Sequence, residues 1–268
     1  MSEHRGDRTL APFGRRPAEV LANDALGGYR LVSVRDASGP RPTPGQFYML
    51  ATERGWGGDG ERPYLPRAFS YARAHGDGKL EFLLEDVGPG TRRLAELRPG
   101  EGLWLAGPFG VGFRSPPAGA GRPLLVGGGI GAAPLVCLQD ELDGCEVLLG
   151  FRSAAYAEAA SLFDGEPALA TDDGSAGRRA LVTELLRDAL EASGPRPVFA
   201  CGPPPMLEAV RGLCAAAGAP AQLALESGMA CGYGACFGCV VPTRDGYVRL
   251  CVDGPVLEAS QLEAVHAR

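Results

Sequence analysis

Lysine is nearly absent from this chain, and long apolar runs are missing altogether. Lys79 is the only lysine among 26 Lys and Arg residues, and the acidic residues leave a net charge of −6. Without a concentrated basic stripe, the composition does not fit a nucleic-acid-binding protein. No run of about 18 apolar residues occurs, which argues against a membrane span. The N-terminal stretch has no apolar segment after its charges, so we expect a cytoplasmic chain.

Cysteine, by contrast, is abundant, and the eight residues are unevenly spread. In an intracellular chain this number favours metal binding or redox chemistry over a disulfide framework. Four are scattered among apolar residues, namely Cys137, Cys145, Cys201 and Cys214. The other four lie close to the C-terminus, and they are Cys231, Cys236, Cys239 and Cys251.

The pattern of apolar residues and turns changes along the 268 residues, which suggests two domains and a third, small unit. Residues 27–117 contain short alternating segments separated by turns, which predict an antiparallel β-barrel or sandwich. Residues 118–222 alternate strands with helices, the pattern of a parallel sheet. We expect a flexible arm at residues 1–26 and a small cysteine-rich domain at residues 223–268.

Two glycine turns in the α/β region indicate a nucleotide site. In "LLVGGGIGAAPL" (124–135) a strand, a turn and a helix follow one another, so backbone N–H groups at the helix start can meet a phosphate. The turn departs from the G-x-G-x-x-G fingerprint, which leaves a plain tight turn open. "FACGPPPML" (199–207) repeats the arrangement, and the two turns can share one crevice at the carboxyl ends of parallel strands. Taken alone, Cys201 fits a small buried hydrophobe.

Two segments of the barrel region offer groups for a flat ring and its phosphates. In "LPRAFSYARA", Arg67 suits a phosphate, Phe69 suits a ring face and Ser70 suits a ring edge. Without context the segment is only a strand with an arginine. In "EDVGPGTRRL", a turn opens a helix, so its N–H groups and the Thr91 hydroxyl can cap a second phosphate.

The C-terminal cysteines have the spacing C-x4-C-x2-C-x11-C. Four thiolates suit either zinc or an iron–sulfur cluster. The x4 and x2 spacings match the plant-type [2Fe–2S] pattern, whereas structural zinc usually shows two CxxC pairs. The interleaved glycines let a loop wrap closely and point N–H groups at sulfur. A [2Fe–2S] cluster is therefore favoured over zinc, with inert buried cysteines as the third alternative.

Seven motifs follow one another in a recognisable order: "RAFS", "GPGT", "GPFGVGF", "VGGGIGAAP", "DDGSAG", "ACGPPPM" and "MACGYGACFGC" with a later "LCVDGP". Together they resemble the electron-transfer subunits of class 1B dihydroorotate dehydrogenases, within the ferredoxin–NADP reductase superfamily. The resemblance covers about residues 28–262. It implies a multidomain β plus α/β fold: an antiparallel FAD-binding β-barrel, a parallel-sheet NAD-binding α/β domain and a small [2Fe–2S] domain.

The resemblance also assigns site residues by motif. Residues expected along the FAD are Arg67, Ala68, Phe69, Ser70, Leu83, Leu84, Glu85, Gly90 and Thr91. Residues expected at the pyridine nucleotide are Gly128, Gly129, Ile130, Gly131, Ala132, Cys201, Gly202 and Pro203. The expected cluster ligands are Cys231, Cys236, Cys239 and Cys251. Glu85 and Asp86 depart from the family, which tends to have an aromatic and a basic residue there, and an acidic pair is unfavourable beside a pyrophosphate.

In function, the resemblance implies electron transfer in pyrimidine biosynthesis. Electrons pass from the FMN of a partner dihydroorotate dehydrogenase catalytic subunit, through [2Fe–2S] and FAD, to NAD⁺, with no acid or base side chain required here. The expected assembly is a heterotetramer of two plus two subunits, which buries the glycine-rich face around Tyr233 and Phe237.

Two alternatives stay open at this stage. One is a NAD(P)H-dependent reductase subunit of another complex, such as a sulfhydrogenase. The other is a zinc-stapled nucleotide-binding protein without redox activity. The choice between NAD and NADP is also open, although Asp172 and Asp173 can face a ribose and favour NAD.

Overall fold

The computed structural model describes residues 14–57 and 63–265, and the strands of these residues form three sheets. The strands are β1 Arg16–Leu26, β2 Tyr29–Arg35, β3 Phe47–Thr52, β4 Arg67–Ser70, β5 Arg73–Ala74, β6 Lys79–Leu84, β7 Gly102–Phe109, β8 Leu124–Gly128, β9 Glu146–Phe151, β10 Ala168–Thr171, β11 Arg178–Arg179, β12 Val198–Cys201, β13 Ala221–Ala224, β14 Val240–Thr243, β15 Gly246–Arg249 and β16 Val256–Glu258. The α-helices are α1 Pro89–Ala95, α2 Ala133–Gln139, α3 Ala154–Ala157, α4 Val182–Ser193, α5 Pro204–Ala217 and α6 Leu250–Asp253.

The first seven strands form an antiparallel sheet in the order β4-β3-β7-β1-β2-β6-β5. Its two edge strands, β4 and β5, are separated in sequence by Tyr71 and Ala72 alone, so the sheet curls until its edges meet. Alternate side chains of the strands fill the interior; Val20, Phe82 and Leu105 are fully buried there. Burying each such side chain contributes about 1.5–3 kcal/mol.

Strand β1 corrects the predicted arm. Residues 16–26 of the expected arm form an 11-residue strand that lies between β2 and β7, near the middle of the sheet. Ala18 and Val20 alternate with the exposed Pro17 and Glu19 and point into the core, a period-2 pattern hidden among Arg and Pro residues. The buried Arg16 guanidinium donates to the Asp36 carboxylate, with Nε 2.6 Å from Oδ1. Residues 1–13 of the expected arm lie outside the described residues.

The second sheet has the order β11-β10-β9-β8-β12-β13-β16 and is parallel through β13. From the central β8, the chain first builds β9 and β10 on one side and then returns to place β12 on the other. The strand order therefore reverses between β8 and β12, which is where open α/β sheets bind ligands.

The C-terminal unit is tied to this sheet. After the β14–β15 hairpin and α6, β16 pairs antiparallel with β13, placing Leu257 opposite Leu223. Buried Cys239 and Leu250 belong to the same apolar cluster as Leu223. The predicted boundary between residues 222 and 223 therefore cuts through β13, because the return strand that joins the two units is too short to be recognised from sequence.

The barrel and the α/β domain share an apolar contact. Tyr29 and Leu83 of the barrel lie in one buried cluster with Leu125 and Phe151 of the α/β sheet. At the rim, the Arg73 guanidinium donates to both carboxylate oxygens of Asp140 at 2.7 and 2.8 Å. Within the described part of the chain, no helix is long and apolar enough to cross a membrane.

Candidate functional site

The two predicted nucleotide turns meet at the carboxyl edge of the parallel sheet. Strand β8 ends in a 3-10 turn at Gly129–Ala132 that leads into α2, and β12 ends at Cys201 just before α5. A Cβ at Gly131 would lie 2.5 Å from the carbonyl oxygen of Cys201. A Cβ at Gly202 would lie 3.1 Å from the Cα of Gly128. The two turns thus touch through their backbones, and only glycine permits this approach.

Cys201 lines this edge as a neutral thiol. Its side chain is buried, and burial, followed by the nearby Glu226 carboxylate, raises its pKa well above the usual value. A thiol with a raised pKa is a poor nucleophile at neutral pH. Cys137 and Cys214 are buried in the same manner, and burial raises the pKa of each to about 12. All three cysteines therefore fit small apolar residues of the protein interior.

The predicted flavin motif forms the edge strand β4, and Arg67 reaches from it to the start of α1. A Cβ at Gly90 would lie 2.6 Å from the Arg67 Nε atom, so glycine leaves room for the guanidinium. Arg67 Nη1 donates to the Leu65 carbonyl at 2.5 Å, and the guanidinium lies 5.8 Å from the Trp56 ring centroid. The structure therefore brings together the two segments that the sequence assigns to the FAD phosphates.

The Thr91 hydroxyl has a different role from the predicted phosphate cap. It accepts hydrogen bonds from the N–H groups of Val87 and Gly88 at 2.9 and 3.0 Å and donates to the Gly88 carbonyl. The hydroxyl is engaged within its own turn, which it shapes. The first intrahelical bond runs from Arg92 N to Gly88 O, so the N–H groups of Gly90 and Thr91 precede it and point out of the helix start.

The structure explains the unusual acidic pair, Glu85 and Asp86, which follows strand β6. Leu83 and Leu84 are buried in the apolar clusters, so only their backbones can face a ligand. The Glu85 carboxylate pairs with the Arg152 guanidinium of the α/β domain. The Asp86 carboxylate accepts from Arg92 Nε at 3.1 Å. Both charges are compensated by arginines, which removes the electrostatic objection raised by the sequence.

The four C-terminal cysteines come together as two pairs. Cys239 Sγ and Cys251 Sγ lie 3.2 Å apart, and the side chains of Cys231 and Cys236 are hydrogen-bonded. A single zinc ion needs four ligands around one point, whereas a two-iron cluster takes its thiolates in two pairs.

The loop supplies the donors that a thiolate needs. Burial acts to raise the pKa of Cys231, but hydrogen bonds from the N–H groups of Cys236, Tyr233 and Ala235 outweigh it and lower the pKa to about 6. Burial and the neighbouring Cys239 raise the pKa of Cys251 to about 12. The donor set of the first pair therefore favours bound thiolate sulfur.

Glycine shapes this loop by its backbone angles. Gly232 and Gly234 have φ values of +80° and +90°. A Cβ at Gly232 would lie 2.6 Å from Met49 Cγ, so the loop rests directly on strand β3 of the barrel. A cavity of about 390 Å³ separates other parts of the loop from the barrel, and Trp56, Trp104 and Cys231 line it. The cysteine loop is thus adjacent to the flavin-type barrel.

Two aromatic side chains of the loop face solvent. Tyr233 is 55 % exposed and Phe237 is 63 % exposed. Phe237 also has a φ of +58°, a left-handed conformation that costs a non-glycine residue about 1–2 kcal/mol. An exposed aromatic residue held in a strained conformation is characteristic of a binding surface.

Arg152, Trp56 and Tyr29 are absent from the predicted site residues, although the structure places them around it. The sequence does carry a signal for Arg152, because "GFRS" places it immediately after a predicted parallel strand. Trp56 and Tyr29 reach the site through barrel closure and domain packing, which no local pattern reveals.

Comparisons with known proteins bear on this site. Residues 226–263 match the family model of the iron–sulfur cluster binding domain of dihydroorotate dehydrogenase B. A relative from Caldanaerobacter subterraneus subsp. tengcongensis, named dihydroorotate dehydrogenase B (NAD(+)), electron transfer subunit, is 33% identical over 251 residues, covering 91% of this chain and 97% of the relative. A relative of the same name from Geobacillus thermodenitrificans is 39% identical over 231 residues, covering 82% and 86%. The chain belongs to the family of dihydroorotate dehydrogenase B electron transfer subunits.

Solved structures agree on the fold of this family member. A chain from the NADH-dependent reduced ferredoxin–NADP oxidoreductase structure has a TM-score of 0.75 at 23% identity, covering 94% of this chain and 91% of its own. The ferredoxin reductase of carbazole 1,9a-dioxygenase has a TM-score of 0.65 at 26% identity, covering 77% and 66%. The predicted family and the predicted multidomain fold are confirmed.

Proposed function

We propose that this chain is the electron-transfer subunit of an NAD⁺-dependent dihydroorotate dehydrogenase in pyrimidine biosynthesis. It carries electrons from the FMN of a partner catalytic subunit, through [2Fe–2S] and FAD, to NAD⁺. The observation that carries the proposal is the packing of the four-cysteine loop on the barrel, with Gly232 against Met49 of β3. One-electron transfer requires such proximity between its centres, and a nucleotide-binding protein stapled by zinc has no need of it.

The chain's own residues divide the task of holding the bound groups. Cys231 and Cys236 would hold one iron, and Cys239 and Cys251 the other, in keeping with their two pairs. When bound, the flavin links the single electrons of an iron–sulfur cluster to the hydride chemistry of nicotinamide.

The barrel side of the site would hold the FAD. Arg67 and the first-turn N–H groups of Gly90 and Thr91 offer cationic and neutral donors to a pyrophosphate. Phe69 and Ser70 of β4 lie half-buried at the barrel edge, where the ring system would rest. Ala68, Leu83, Leu84 and Glu85 complete the strands that run along it.

The α/β side would bind NAD⁺. The touching turns at residues 128–132 and 201–203 present a narrow backbone edge, against which the Met206 side chain packs at Gly128 and Gly202. The hydride step itself needs no acid or base at this edge; the one proton that the flavin must take up with its two electrons would come from solvent. The exposed Asp172 and Asp173 follow β10 and favour the ribose of NAD over the 2′-phosphate of NADP.

The partner would dock on the cysteine loop in the cytoplasm. Exposed Tyr233 and Phe237 flank the thiols, and aromatic residues dominate the energetics of protein interfaces. Two such subunits flanking a catalytic dimer give a heterotetramer. Gel filtration of the co-expressed pair should show the mass of two plus two subunits; the mass of a single heterodimer contradicts this stoichiometry.

Partner choice provides the decisive functional experiment. The chain is co-expressed anaerobically with a dihydroorotate-oxidising catalytic subunit, and NAD⁺ reduction by dihydroorotate is followed at the NADH absorbance. The account predicts activity in the complex and none in either subunit alone. A chain that never joins that subunit and instead couples NADH oxidation to polysulfide reduction would belong to the sulfhydrogenase-type alternative.

A further inference from the structure

The contact between the barrel and the α/β domain has one charged pair at its nucleotide end. Glu85 follows the last residue of β6, and Arg152 follows the last residue of β9, so the pair crosses the domain boundary. Their side chains are 21% and 55% exposed, respectively. An ion pair with this exposure contributes only about 0–1 kcal/mol, so a stronger anionic ligand can displace it.

The Arg152 guanidinium is held in place by more than its charge. It lies 3.6 Å from the centroid of the Tyr156 ring, a cation–π contact, and it is also hydrogen-bonded to the Tyr156 side chain. The Tyr156 ring meets the Tyr29 ring edge-on, with centroids 5.1 Å apart. The arginine is thus pre-oriented by one aromatic face while its hydrogen-bonding partner can change.

This cluster lies beside the nucleotide turn. Strand β9 pairs with β8 up to Gly150 opposite Gly128, which places Arg152 two residues beyond this last pair, on the side where the turn begins. A Cβ at Gly129 would lie 3.8 Å from the Tyr29 hydroxyl. A ligand bound along the turn therefore comes within reach of the arginine, at the sheet edge where α/β domains bind their ligands.

The rest of the boundary around this cluster is closely packed. The Gly28 N–H donates to the Ala155 carbonyl at 2.9 Å, and a Cβ at Gly27 or Gly28 would collide with α3. These backbone contacts between the barrel and α3 do not involve the ion pair.

We propose that Glu85 and Arg152 form an exchangeable gate at the pyridine-nucleotide site: Glu85 holds Arg152 in the ligand-free protein, and the dinucleotide's phosphate oxygens replace the carboxylate when it binds. The proposal rests on the proposed NAD⁺ site. A guanidinium binds a phosphate through two parallel hydrogen bonds, which outmatches one half-exposed ion pair. Glu85 is then a positioning residue that lowers nucleotide affinity and keeps exchange fast.

Binding of ADP-ribose tests the gate without turnover. In titration calorimetry on the FAD- and cluster-loaded protein, Glu85→Gln should bind ADP-ribose up to about fivefold tighter than wild type, and Arg152→Gln at least about tenfold weaker. Asp86→Asn is the matched control. It removes the same charge at the next residue of the chain, but the ion pair that it opens, with Arg92, lies within the barrel. Asp140→Asn is the second control, because it opens a different ion pair between the domains. Both should bind like wild type.

Steady-state kinetics adds a second readout. With NADH and ferricyanide, Glu85→Gln should lower KM and Arg152→Gln should raise it, because both changes act on binding of the phosphates. Unchanged or weaker ADP-ribose binding by Glu85→Gln overturns the gate, as does equal tightening by Asp86→Asn. If Glu85→Gln fails to retain FAD, Glu85→Ser replaces it under the same criteria. A wild-type protein that binds neither ADP-ribose nor NADH overturns the proposed function itself, and the gate with it.

Discussion

The nucleotide edge and the cysteine loop are both built on glycine, but glycine serves a different purpose in each. At the edge, Gly131 is buried and lets two backbones touch. In the loop, Gly232 and Gly234 provide positive φ angles that carry the chain around the thiols. The edge is enclosed by apolar core, whereas the loop exposes aromatic side chains. A small molecule needs a fixed, narrow site, and an incoming protein needs an accessible one.

The largest effect should come from the loop. Cys239→Ser removes one thiolate of the buried pair, so we expect loss of the cluster absorbance and of dihydroorotate-dependent NAD⁺ reduction, with the flavin retained. Cys201→Ser at the edge is the matched control and should keep the cluster, because Cys201 belongs to neither pair. An unchanged cluster in Cys239→Ser would refute its assignment as a ligand. Visible spectra of both variants provide the measurement.

The next effect concerns the edge. Gly131→Val forces a side chain against the Cys201 carbonyl, and such overpacking should lower the free energy of unfolding by about 1–3 kcal/mol and weaken NADH binding. Gly212→Ala, in α5 with open space around it, should raise stability by up to about 1 kcal/mol. Urea unfolding measures both. Equal stability of the Gly131→Val variant and the wild-type chain would show that the two turns do not touch in solution.

A smaller effect should separate stability from docking in the loop. Phe237→Asn relieves the left-handed backbone, since Asn adopts positive φ more readily, and should stabilise the free subunit by about 1 kcal/mol. The same change removes an exposed aromatic side chain and should weaken partner binding. Thermal unfolding of the subunit and a binding titration with the catalytic subunit measure the two effects. Unweakened partner binding would place the interface elsewhere.

The smallest change is expected for the buried thiols, which should not react with an alkylating reagent in the native protein. The pKa values of Cys137 and Cys214 are raised to about 12, so both remain protonated between about pH 6 and 9. Alkylation of the native protein should leave both unmodified across this range, and unfolding should expose both. Peptide mapping by mass spectrometry detects the label. Modification that rises with pH in the native state would contradict their burial.

Sequence patterns predicted what depends on local spacing. Three patterns predicted the observed elements and the family: the cysteine spacing, the glycine turns, and the change from short strands separated by turns to strands that alternate with helices. Sequence patterns failed to predict features that depend on contacts between segments far apart in the sequence. Strand β1 needs β2 and β7 on both sides before "RPAEVLANDAL" becomes a strand. The pairing of Glu85 with Arg152 needs the domains to be packed together, and the engagement of the Thr91 hydroxyl needs the folded turn.

The visible spectrum and metal content of the anaerobically purified chain test the central claim most directly. The claim is that the cysteine loop holds a redox cluster beside a flavin barrel. The account predicts flavin bands with a broad [2Fe–2S] shoulder in the red, and about two irons per chain. A colourless protein that contains one zinc ion per chain would contradict it.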